Sequence, residues 1–164
     1  MNDQLVGLGE LGEAIANQIR ELSTVDSCFE YNGQFDSKDF NLVSSNAEWG
    51  TTCFVTLTNG KGDAPKRHIL NNVVNVKIFV MGLQDLDEEE TKQGVSSMCL
   101  NSVEEIQAFV NNNNFGFALP LVTRPADWDI MNLTQDEEQR VRIAGYIIDF
   151  QVTIKNKYTN AWQI

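Results

Sequence analysis

The sequence predicts an α+β fold, a mainly antiparallel sheet with two or so helices packed on one face. Three observations predict it. From Tyr146 onward every second residue is large and apolar: Tyr146, Ile148, Phe150, Val152 and Ile154. After Ile147, they are separated by Asp149, Gln151, Thr153 and Lys155. Side chains alternate faces along a strand, so such a run lies half-buried in an antiparallel sheet. Val74 to Val80 nearly repeats the pattern. Elsewhere apolar residues recur three and four apart, the spacing of a helix with one dry face.

Taken in order, Leu5, Leu8, Leu11, Ile15, Ile19 and Leu22 predict an amphipathic helix over 4–22, weakened in its first half by Gly7, Gly9 and Gly12. Residues 24–49 mix Phe29, Tyr31, Phe35, Phe40 and Trp49 with polar residues, which suits one or two strands. Thr51 to Thr58 alternates with Cys53, Val55 and Leu57 on one side. The glycine- and proline-bearing loop Asn59–His68 then leads into a strand at 73–81, making a hairpin with a long tip.

Asp85 to Thr91 is acidic and marks a polar helix or a loop. Ser102-Val-Glu-Glu105 has capping-box spacing, so a helix is expected at 102–111, with Val103, Ile106, Phe109 and Val110 as its buried stripe and the Asn run 111–114 as its end. Phe115 to Val122 reads as a strand that stops before Arg124-Pro125, because proline cannot donate to a ladder. Thr134-Gln-Asp-Glu137 is a second capping box, for one short helical turn. In the last strand Val141 and Ile143 are apolar at odd positions, but beyond Gly145 the even positions are apolar. This predicts a β-bulge at Ala144–Gly145. The chain reads as a single domain over 1–164, with 156–164 as a C-terminal arm.

Totals narrow the function. A net charge of −11 repels phosphates and disfavours nucleic acid and anionic membranes as partners. No apolar stretch is long enough to span a bilayer, and the start Met1-Asn2-Asp3-Gln4 lacks the pattern of a secretory signal. Cys28, Cys53 and Cys99 are odd in number and widely spaced, which suits reduced thiols in a core.

Gly7-Leu-Gly9-Glu-Leu-Gly12 is a literal G-x-G-x-x-G, and a dinucleotide-binding enzyme using this turn is one reading. The motif needs a strand in front of it and an acidic residue at the end of a second strand. Met1–Val6 is too short and polar for the first, and Asp26 follows no buried strand. A glycine-containing amphipathic helix binding no nucleotide is the reading preferred. His68 is the only histidine, so a multi-histidine metal site is impossible, and beside Lys66 and Arg67 it reads as a solvated loop residue. The carboxylates from Asp85 to Glu90 lack the alternation and glycine of a calcium loop. Asp127 and Asp129 flank Trp128, with nothing converging on them as acid–base chemistry requires. No catalytic, cofactor-binding or metal-binding residue is therefore assigned. Tyr158 and Trp162 are expected to fold back onto the sheet. A third reading is a monomeric binding module with a ligand site among Trp49, Trp128 and the Asn run.

The order of elements, carried by Asn75–Asp87, Ser102–Phe109 and Ala144–Ile154, resembles the small α+β proteins of tailed-bacteriophage necks, tail terminators and head–tail connectors. The likeness covers the layout of residues 4–155. It implies a structural virion protein, made in the host cytoplasm, with no enzymatic activity and no cofactor. It also implies a homo-oligomeric ring joining tail to head, other neck, portal or tail proteins as partners, no membrane, and DNA passing through the ring without specific binding. Within such a ring the basic island Lys61, Lys66 and Arg67 on the hairpin tip is the expected subunit contact, with Asp85, Asp87 and Glu88 to meet it.

Overall fold

The computed structural model describes residues 5–31, 50–67, 69–85, 89–113, 115, 121–131, 134–136 and 141–158. The fold is α+β. Its elements are α1 (Leu8–Ile19), β1 (Ser27–Glu30), β2 (Thr52–Lys66), β3 (Ile69–Asp85), α2 (Glu89–Asn113), β4 (Leu121–Ile130), β5 (Thr134–Asp136) and β6 (Val141–Lys155). The sheet runs β1-β2-β3-β6-β4, with β5 pairing beside β6. Only β1 lies parallel to its neighbour.

Both helices cover one face. α1 buries Leu11, Ile15, Ala16 and Ile19 over β1 and β2, and α2 buries Val95, Cys99, Val103, Ile106 and Val110 over β3, β6 and β4. Against them the sheet turns Cys53, Val55, Val74, Val76, Ile78, Val80, Ile148, Phe150, Val152 and Ile154, the residues its alternation assigns to one side. Each such aliphatic side chain contributes about 1.5–3 kcal/mol on burial. The three cysteines are free thiols in this core. Burial pushes Cys28 and Cys99 up to about 12 and Cys53 well above its ordinary value, so they stay protonated.

Several local expectations are corrected. α1 is shorter than 4–22, starting after Gly7, whose position as N-cap brings no side-chain cap. The 59–68 loop is a continuation of the β2–β3 ladder, paired out to Lys66 opposite Ile69. α2 starts at Glu89, not 102, so Ser102 is no cap. It is a buried mid-helix residue whose hydroxyl donates to the Thr24 carbonyl at 2.7 Å. Glu105 accepts from Ser23 Oγ at 2.7 Å and from the Thr24 N–H at 2.9 Å, so the two residues that mimic a capping box instead tie α2 to the turn after α1.

β4 runs through Arg124-Pro125. It is an edge strand, and two register shifts against β6 around Arg124 absorb the missing proline donor. Thr134–Asp136 is a strand opposite Val141–Ile143, where the ladder outcompetes the capping-box propensity. There is no bulge at Ala144–Gly145, since β3 and β6 pair without a break from Asn71↔Lys155 to Asp85↔Val141. Ile143 is apolar because it joins Phe54, Met81 and Met131 in a second, smaller core on the face away from the helices, with Ile147, Phe79 and Leu83 beside it. Gly145 lies in that zone, and a Cβ there would stand 2.2 Å from the Val80 carbonyl oxygen.

Candidate functional site

Beyond Leu57, β2 continues along β3 as an exposed edge ribbon, and past Asn71, where β6 ends at Lys155, the two run on alone as a two-stranded tip. The register shifts by one at Thr58, whose hydroxyl donates to the Asn75 carbonyl, and the Asn75 side-chain amide donates to Asn59 Oδ1. A second shift between Asp63 and Lys66 forms the tip at Pro65 to Arg67. Every residue from Thr58 to Arg67 is exposed, and Ile69 and Leu70 are each 38% exposed. β6 flanks the ribbon only as far as Lys155 opposite Asn71, after which the Asn156 N–H donates to the Leu70 carbonyl.

Lys61, Lys66 and Arg67 all lie on this ribbon and make no ion pair with any described residue. Asp63 is its one acid, so the ribbon is locally basic on an acidic chain. Asp85 ends β3 at the opposite extremity, and the 17 residues of β3 separate it from the tip by roughly 50 Å. One subunit cannot bring the two charges together. Asp87, Glu88 and His68 lie outside the described residues.

A second exposed feature gathers Asp127, Trp128 and Asp129, in which the sequence offered a carboxylate pair but not an open strand edge. Within β4, Asp127 and Asp129 point to one face and Trp128 and Ile130 to the other, all exposed, the last two at 49% and 64%. Trp128 stands edge-on to Tyr146 at 5.6 Å, and the Tyr146 hydroxyl bonds Ser96 on α2 at 2.8 Å. The Ile130 N–H is held by Asp129 Oδ1 at 2.8 Å. Arg124 pairs with Asp149 at 2.6 Å, and Asp127 and Asp129 have no ion-pair partner among the described residues. Among the described residues no strand pairs with the outer side of β4. The period-two signal Asp127-Trp-Asp-Ile130 was present, but Pro125 hid it.

The other candidates separate. Gly7 precedes α1, Gly9 and Gly12 lie within it, and no strand stands in front of them among the described residues. The depression beside them is lined by Asn72, Lys155 and Lys157, and Lys157 is paired to Glu10 there. Of the binding-module reading, Trp128 stands edge-on to Tyr146, and two residues before it the Ala126 carbonyl accepts from Gln107, about one helical turn before Asn111 on α2. Trp49 and Trp162 fall outside the described residues, and Tyr158 is 66% exposed, not folded onto the sheet. Among the described residues no three His, Cys, Asp or Glu side chains group as a metal would need, and no helix is long and apolar enough to cross a membrane.

Fold and site together define an α+β sheet platform that presents a basic ribbon at one end and an open acidic and apolar edge elsewhere. No protein-family model matches the chain, and no curated protein matches it. Among solved structures it is similar to a chain of the "Virion of native gene transfer agent (GTA) particle", at 13% identity and a TM-score of 0.38, over 93% of this chain and 100% of that one. A likeness of that degree carries no argument about function, which rests on the geometry above.

Proposed function

We propose that the chain is a structural subunit of a phage virion, assembling into a ring as a tail terminator or head–tail connector. Its partners are further copies of itself and other neck, portal or tail proteins, its place is the virion, and its role is mechanical, with no enzymatic step and no cofactor. The observation that supports this reading is the ribbon. It carries three exposed cations that make no ion pair among the described residues and two aliphatic residues, each 38% exposed, a combination that suits a contact with another molecule. Lys61, Lys66 and Arg67 are the proposed contact on one copy, with the acidic run from Asp85 through Asp87 and Glu88 as a counterpart supplied by the next.

Two measurements test this. Sedimentation of the purified chain across a concentration series is expected to give a closed oligomer larger than a dimer, and mass spectrometry of purified particles is expected to find the chain in them. A monomer at all concentrations, absent from particles, overturns the proposal.

A further inference from the structure

We propose that the ribbon tip of one copy docks on the outer edge of β4 of a second copy and extends its sheet across the subunit boundary. Leu70 would lie on the face of Trp128 and Ile130, and Lys66, which shares a face with its cross-strand partner Ile69, on the face of Asp127 and Asp129, with Arg67 beside it at the turn. The inference rests on the ring reading for its setting, but it gives Lys66 and Arg67 the β4 edge as their counterpart in place of the Asp85–Glu88 run.

Three properties match. First, charge is complementary, since the tip carries Lys66 and Arg67 without ion-pair partners among the described residues and the β4 edge carries Asp127 and Asp129. Second, each surface combines its charge with large exposed apolar side chains, Ile69 and Leu70 at 38% each on one and Trp128 and Ile130 at 49% and 64% on the other. A strand added to an edge meets both faces of that edge at once. The acids on one face of β4 and the aromatic and aliphatic residues on the other therefore need a partner with both chemistries, and the tip has both. Third, among the described residues no strand pairs with the outer edge of β4, where the Ile130 N–H is held by its neighbour Asp129, and from Ala126 onward no proline interrupts it.

The contact cannot form within one chain. Trp128 and Ile130 stand opposite Ile148 and Tyr146, whereas the tip lies beyond Lys155, roughly 23 Å further along β6. Charges and a proline on an edge strand also serve simply to keep other strands away. That explanation fits Asp127, Asp129 and Pro125, but it leaves a tryptophan and an isoleucine in solvent on the same edge. The β4 edge offers the tip charge, apolar anchors and backbone together, all on described residues.

The test is assembly of the full-length chain measured by sedimentation, with circular dichroism confirming the fold of every variant. Two variants, Trp128→Ala with Ile130→Ser at the edge and Ile69→Ser with Leu70→Ser at the tip, are each expected to weaken self-association at least ~30-fold, as loss of a central aromatic anchor does. Mixed together, they should form a one-to-one pair that grows no further, because only one good tip and one good edge remain. Lys66→Glu with Arg67→Glu should be rescued by Asp127→Lys with Asp129→Lys and not by Asp85→Lys with Asp87→Lys. A wild-type ring that survives the tip and edge variants overturns this docking while leaving the ring reading intact. A wild-type reciprocal dimer broken by them supports the docking and overturns the ring. A wild-type monomer overturns both.

Discussion

Replacing Gly145 by alanine adds one methyl group at the most tightly closed point of the sheet. Gly145 is paired with Met81 in the middle of the β3–β6 ladder, and the added Cβ would stand 2.2 Å from the Val80 carbonyl oxygen and 3.1 Å from both Met81 Cα and Met131 Sδ. The first distance is roughly 1 Å inside an ordinary contact, and the obstructing atom is backbone of the neighbouring strand. A flexible side chain could swing aside, but a ladder carbonyl moves only with its strand. Relief therefore separates β3 from β6, loosening ladder hydrogen bonds and the small core of Phe54, Met81, Met131 and Ile143. Overpacking of this kind costs about 1–3 kcal/mol, and one strained ladder bond adds about 1 kcal/mol. The expected loss is about 3 kcal/mol in urea or guanidinium unfolding. Gly9→Ala is the internal control. It makes the same chemical change within α1, where a Cβ meets nothing within 4 Å, and should be neutral or stabilising by up to about 1 kcal/mol. If Gly145→Ala unfolds within ~0.5 kcal/mol of wild type, the close-approach reasoning is wrong.

Three further outcomes are expected. Reversing Lys66 and Arg67 to Glu should leave thermal unfolding unchanged and weaken assembly; because exposed ion pairs are each worth only about 0–1 kcal/mol, assembly of the wild type should also weaken along a salt series, and indifference to salt would count against an electrostatic contact. Glu105, held below its ordinary value of 4.5 by its hydrogen bonds from Ser23 and Thr24, contributes stability that is present above that value and lost as pH falls through its lowered one. Glu105→Gln should therefore cost roughly 1 kcal/mol at neutral pH, with the gap closing in acid, as read by unfolding curves at two pH values. If carboxylates such as Asp85, Asp87 and Glu88–Glu90 line a passage for DNA, a density map of the assembled ring should show an acidic inner wall, and a neutral or basic wall would remove that explanation of the −11 charge.

The site was legible only in part. Lys61, Lys66 and Arg67 stand out by sequence because three cations cluster in an acidic chain. The ribbon that carries them reads as a loop, since Gly60, Gly62 and Pro65 lower strand propensity, and only cross-strand pairing holds them extended. Trp128 and Ile130 gave no signal of exposure, because a large apolar residue in sequence looks the same whether it is covered or open.

The sequence by itself determined the α+β class, the core face of β3 and β6, and the sheet-facing stripe Val103, Ile106 and Val110 of α2, because period-two and period-3.6 patterns are local consequences of backbone geometry. The tertiary structure alone decided that Ile143 and Gly145 belong to an unbroken ladder with a second core behind it. It also decided that β4 passes through Pro125 at an edge, and that Ser102 and Glu105 reach back to Ser23 and Thr24 instead of capping their own helix. The physical reason is common to these cases. A residue's pattern reports which way it points, but whether that side is dry, paired or open depends on a neighbour distant in the chain, such as Met81 for Gly145 or Thr24 for Ser102.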